Sequence, residues 1–111
     1  MRRAEFDRLI EQDLVAHLRE LRDVKEAEYA RQEDTLLNFH RVGPFLGLTP
    51  AQYCMVLMTK HVQGIAHQVM RGGYLWEYTT PDGREGLKQR LVDLRNYVDL
   101  LFGLLSEESN P

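Results

Sequence analysis

The stretch from Thr49 to Gly73 constrains this chain more than any other. LTPAQ is a strong helix start. Thr49 reads as the N-cap, Pro50 takes the first helical position and Gln52 completes a capping box. Gly72-Gly73 reads as the stop. Between Ala51 and Met70 the only formally charged residue is Lys60. Ala51, Cys54, Met55, Met58, Val62, Ile65 and Val69 cover one side, and Tyr53, Leu57 and Gly64 flank Lys60 on another. A helix apolar on most of its circumference is expected to be buried among other helices. A lone ammonium on it has two readings. It snorkels to the surface or pairs with an acid of a neighbouring helix, or it meets an anionic ligand. His61 and His67 lack the i, i+4 spacing of paired zinc ligands.

The remaining segments supply the neighbours. Residues 4 to about 31 are dense in charge and poor in Gly and Pro. Phe6, Leu9, Ile10, Leu14, Leu18, Leu21 and Val24 recur there at helical spacing, which predicts a long amphipathic helix with a narrow stripe. Asp34 is expected to cap a short helix, TLLNFHRV, that Gly43-Pro44 ends or kinks. GYLWEYTTPDGRE reads as an aromatic loop or short hairpin. Asp82 and Glu85 then predict a capping box for a last helix from about Gly83 to Leu105. The expected fold is all-α: one compact four-helix bundle-like domain over residues 1–111, with 105–111 a flexible tail.

Charge and composition exclude several function classes. With 14 basic and 17 acidic residues the net charge is −3, so direct nucleic-acid binding is not expected. The single cysteine, Cys54, excludes an internal disulfide and a cysteine-based zinc cluster. MRRAEFDRLIEQD lacks the apolar core of a signal peptide, and no apolar run is long enough for a membrane span. A soluble cytoplasmic protein is the expectation.

The last helix carries the polar groups that need explaining. At roughly 100° per residue, Leu87, Leu91, Leu94, Val98, Leu101 and Leu105 form one stripe. Arg84, Lys88, Arg95 and Asp99 form the opposite, solvated face. Glu85, Gln89, Asp93 and Asn96 share a third strip, and Arg90 falls beside Tyr97 and Leu101. Arg90 and Asp93 are therefore expected to be partly buried. One reading is an i, i+3 ion pair that fixes packing register. The other is a polar pocket, in which carboxylates on facing helices hold a hard cation such as Mg²⁺ and basic groups neutralise phosphate oxygens.

A family resemblance rests on residues in a fixed order. These are Lys25, Glu28-Tyr29-Ala30, Asp34, Asn38-Phe39, Leu46-Gly47-Leu48-Thr49-Pro50, Lys60-His61, Ile65, Glu85, Arg90, Asp93 and Asn96-Tyr97. Over about residues 25–105 the pattern resembles the nucleotide modification associated domain group of small phage and prophage proteins. That group's helices are similar to the all-α nucleotide pyrophosphohydrolases of the MazG and dimeric dUTPase type. Thr59 and Lys88-Gln89 stand where the group often carries acids.

The resemblance implies a nucleotide or small phosphorylated ligand, and a host-cell cytoplasmic location if the chain is phage-encoded. In a Mg²⁺-dependent pyrophosphohydrolase, Glu28, Glu85 and Asp93 would be the catalytic, metal-holding carboxylates, with Asp34 a further ligand. Lys60, Arg90, Asn38, Asn96 and His61 would contact phosphates or nucleotide. The alternative is a non-catalytic helical accessory or anti-defence module that binds a nucleotide or a host protein. The acids absent at Thr59 and Gln89 and the aromatic segment Tyr74, Trp76 and Tyr78 favour it. Either version is expected to form a homodimer or higher homo-oligomer, because the narrow stripe and the nearly all-round apolar helix are more easily buried that way.

Overall fold

The computed structural model describes the backbone of residues 1–28 and 35–110, and the side chains of residues 1–25 and 35–110. Contacts divide the chain into two units, Met1–Gln32 and Glu33–Pro111.

The first unit is a single continuous helix with a wide turn in it. α1 (Arg3–Leu9) passes through a π-helical segment, Ile10–Val15, into α2 (Ala16–Glu28). Both junction residues, Ile10 and Ala16, keep right-handed helical dihedrals. The apolar spacing explains the widening. Phe6, Ile10, Leu14 and Leu18 are each four residues apart. In an α-helix each such step rotates the stripe by about 40°. An i→i+5 turn brings residues four apart closer to alignment, so the stripe stays straighter. Arg3 donates to Asp7 at 2.9 Å on the exposed face.

The second unit holds α3 (Leu37–Phe45), α4 (Pro50–Arg71) and α5 (Leu87–Ser109), with α4 packed against both others. Phe39, Ala51, Cys54 and Leu104 are buried together, ringed by Leu36, Tyr53, Leu57, Met58, Tyr97, Leu100 and Leu101. Burial pushes the Cys54 thiol pKa up. The all-α class is what these elements make: four helical stretches and, among the described residues, only an isolated bridge, Thr79 to Glu85, in place of any strand. No helix of the described residues is long and apolar enough to cross a membrane.

α4 has the bounds its local signals predict. Gln52 N–H donates to the Thr49 hydroxyl at 3.1 Å, and Thr49 N–H donates to Gln52 Oε1 at 2.9 Å. Its burial differs from expectation. α3 and α5 cover one side, and Met55, Val62, Val69 and Met70 are exposed.

Two other boundaries also differ. Gly43-Pro44 does not end α3, because Gly43 has no Cβ to clash with the proline ring. α3 stops after Phe45 in a Schellman closure, with Gly47 N–H on Pro44 O at 2.9 Å, Leu48 N–H on Gly43 O at 2.9 Å and Gly47 at φ +74°. Gly43 also lets the chains approach: a Cβ there would lie 3.1 Å from Thr49 O and 3.2 Å from Pro50 Cα.

Asp82 is not the cap of the last helix. Thr80, Pro81, Asp82 and Gly83 form a tight turn closed by Gly83 N–H on Thr80 O at 2.9 Å, with Gly83 at φ +85°. The Thr80 hydroxyl bonds the Asp82 carboxylate, and Arg84 Nε lies 2.7 Å from it. These contacts hold the Asp82 pKa below the usual carboxylate range, the Thr80 bond being the larger cause. The N-cap is Gly86. Gly86 N–H and Leu87 N–H reach back to Tyr78 O and Leu75 O at 2.9 and 3.1 Å, which ties the segment before the turn to the start of α5. α5 then continues past Leu105 to Ser109, with Asn110 its C-cap.

Candidate functional site

Arg90 leaves the first turns of α5 and lays its guanidinium over Gly64 of α4. A Cβ at Gly64 would overlap Arg90 Nη1. Glycine inside a helix costs about 1 kcal/mol relative to alanine, and here it makes the notch that accepts the arginine. Arg90 Nε is buried and has no hydrogen-bond partner. Leaving such a donor unpaired costs about 1–3 kcal/mol. Arg90 and Asp93 are both half-buried, as the wheel predicts. The i, i+3 ion pair between them does not form among the described residues: Asp93 accepts from Gln89 Nε2 at 3.0 Å instead.

Arg90 is one wall of a cleft of about 620 Å³. The end of α4 contributes His67, Gln68, Arg71 and the Gly72-Gly73 stop, and the hairpin-like loop of residues 74–86, joined across itself by the single Thr79–Glu85 bridge, adds Tyr74, Leu75, Thr80, Arg84 and Glu85. Three guanidinium groups thus face one acid. Arg84 is already beside Asp82. Neither Arg71 nor Arg90 has a carboxylate partner among the described residues, and both line the cleft.

Gly64→Ala tests the notch. The overlapped atom is the far end of a flexible side chain, so folding stability is expected to change by less than about 1 kcal/mol, read by denaturant unfolding. The guanidinium must move, and any anion that it holds is expected to bind about tenfold more weakly.

The other expected site residues scatter. Glu85 is not on α5; it lies before Gly86, opposite Thr79, at the rim of the cleft. Asp93 does not line the cleft. Asn96 is buried on α5 at 6% exposure. His61 packs its ring on Tyr97, with centroids 4.9 Å apart. Burial, then the Asp93 charge, pushes the Tyr97 pKa up. Lys60 is exposed on α4, which agrees with the snorkelling reading, and Asn38 is exposed on α3. The Glu28 side chain and all of Asp34 lie outside the described residues. Among the described residues no three His, Cys, Asp or Glu come together to hold a metal ion. Of the four carboxylates that the resemblance implies for magnesium, only Glu85 and Asp93 have described side chains.

Sequence reasoning missed His67, Arg71 and Gly64 as site residues; Arg84, expected on a solvated face, is exposed and lines the cleft from there. Gly64 was the available signal, because an isolated glycine in a helix interior calls for a packing reason. Comparison with protein-family models, curated proteins and solved structures gives no match for this chain.

Proposed function

We propose that the chain binds a small phosphorylated ligand, a nucleotide in the first instance, in the Arg71–Arg84–Arg90 cleft, and does so as a non-catalytic module. The observation that carries this reading is Arg90, whose Nε is buried without a partner at the wall of a cleft that Arg71 shares. A desolvated planar fork matches phosphate oxygens bidentately. A volume of about 620 Å³ falls in the range of small-molecule sites. The hydrolase reading needs a further carboxylate beside Glu85 and Asp93, for which Glu28 and Asp34 are the chain's candidates.

A panel of (d)NTPs with Mg²⁺ separates the two readings. The expected result is thermal stabilisation by at least one nucleotide and no pyrophosphate release. Release that disappears in Asp93→Asn would replace this reading with the hydrolase. No stabilisation by any nucleotide would remove the ligand reading itself.

Self-association belongs to the same proposal. Met55, Val62 and Val69 are exposed on α4 at seven-residue intervals, the spacing of a helix–helix seam. Val62→Lys is expected to lower the molar mass measured by light scattering to that of the monomer. A wild-type chain that is already monomeric contradicts this part.

A further inference from the structure

The hairpin wall of the cleft is held from outside the cleft. Lys88, on the first turn of α5, puts its ammonium 5.5 Å from the Trp76 ring centroid and 5.2 Å from that of Tyr78. Both distances are within cation–π range. Trp76 and Tyr78 sit on the segment before the turn, and Lys88, Trp76 and Tyr78 are not among the residues lining the cleft. The same segment meets α5 through Gly86 N–H on Tyr78 O and Leu87 N–H on Leu75 O. Tyr74, Leu75 and Trp76 are all about half exposed, so little apolar burial fixes the hairpin. Arg84 and Glu85 ride on it into the cleft.

We propose that Lys88 is the positioning residue of this wall: clasped by Trp76 and Tyr78, it docks the hairpin on α5 and so sets where Arg84 and Glu85 stand relative to Arg71 and Arg90. The ligand half of this statement rests on the phosphate reading above. The clasp half does not. A ligand bound by Arg90 alone would be indifferent to Lys88, whereas a ligand gripped from both walls needs the hairpin docked.

The test uses the full chain, inorganic pyrophosphate as probe, and three variants: Lys88→Gln, Lys88→Arg, and the double variant Trp76→Leu, Tyr78→Leu. The double variant removes the clasp and keeps the lysine charge. Two readouts are taken: hydrogen exchange of the Gly86 and Leu87 amides, and pyrophosphate affinity by calorimetry. Lys88→Gln and the double variant are expected to speed exchange at both amides about tenfold and weaken pyrophosphate about tenfold. Lys88→Arg is expected to stay within about threefold on both, because a guanidinium also sits over aromatic rings. Trp76 is the only tryptophan, so its emission reports the clasp directly and should shift to the red in Lys88→Gln.

Unchanged exchange in Lys88→Gln overturns the clasp. Faster exchange with unchanged pyrophosphate affinity overturns the positioning role and leaves the ligand reading standing. Weaker binding in Lys88→Gln with none in the double variant assigns the effect to charge alone and also overturns it. If the wild type does not bind pyrophosphate while the exchange result holds, the clasp is supported and the ligand reading has failed.

Discussion

Gly86→Ala is expected to lower folding stability by about 3 kcal/mol. The backbone there, at φ −84° and ψ 174°, suits any residue, so dihedral strain is not the cause. Space is. A Cβ on Gly86 would overlap the Glu77 carbonyl oxygen and lie 2.6 Å from its carbonyl carbon. Those are backbone atoms, and they cannot swing aside as a side-chain tip can. Relief requires the segment before the turn to lift away, which breaks the Gly86 N–H bond to Tyr78 O and the Leu87 N–H bond to Leu75 O. Gly83→Ala is the control. At φ +85° it carries the left-handed penalty of about 1–2 kcal/mol, but nothing lies within 4 Å of its Cβ. Denaturant unfolding of both variants should rank Gly86→Ala as the more damaging. Equal losses would mean that the hairpin does not pass so close to the start of α5.

Arg90→Met is expected to abolish ligand-induced stabilisation while leaving the ligand-free protein as stable as before or up to about 1 kcal/mol more so. Methionine keeps an unbranched apolar chain out to about the position of Nε and stops short of the notch over Gly64. It also removes a buried Nε that has no partner. Polar groups held at a cost in stability are common at binding sites, and their loss then shows in binding and not in folding. A structural arginine would behave in the opposite way. Had Arg90 been locked to Asp93, its removal would strand a carboxylate, but Asp93 already takes its bond from Gln89.

The sequence announced those features whose causes are local. α4 could be bounded to the residue because Thr49, Pro50, Gln52 and Gly72-Gly73 act on their immediate neighbours. α3 ran past Pro44 because the preceding residue is glycine, a local fact that outweighs the usual reading of proline. The start of α5 was not legible. Asp82 and Glu85 have capping-box spacing, but the turn uses Asp82, and the amides at Gly86 and Leu87 are taken by carbonyls eight and twelve residues earlier. With the helix beginning at Leu87, Glu85 cannot extend the strip of Gln89, Asp93 and Asn96.

The candidate site was legible by half. A helical wheel places Arg90 at the edge of the apolar stripe of α5, and it is half-buried there. The wheel does not say which residue of α4 it meets. The notch at Gly64 and the approach of Arg71 to Arg90 depend on the register between two helices, and Arg84 joins them only through the fold of the segment between α4 and α5. Lys60, the more conspicuous cation in the sequence, points to solvent.

The proposed ligand of Arg90 and its cleft is a phosphorylated one. Calorimetric titration of inorganic pyrophosphate and a nucleotide panel into wild type and Arg90→Met tests it most directly. The account predicts saturable binding of at least one of these ligands to the wild type and at least about a hundredfold weaker binding to the variant, with unfolding midpoints of the two ligand-free proteins nearly equal. Equal affinities for the two proteins, or no binding to the wild type, would contradict it.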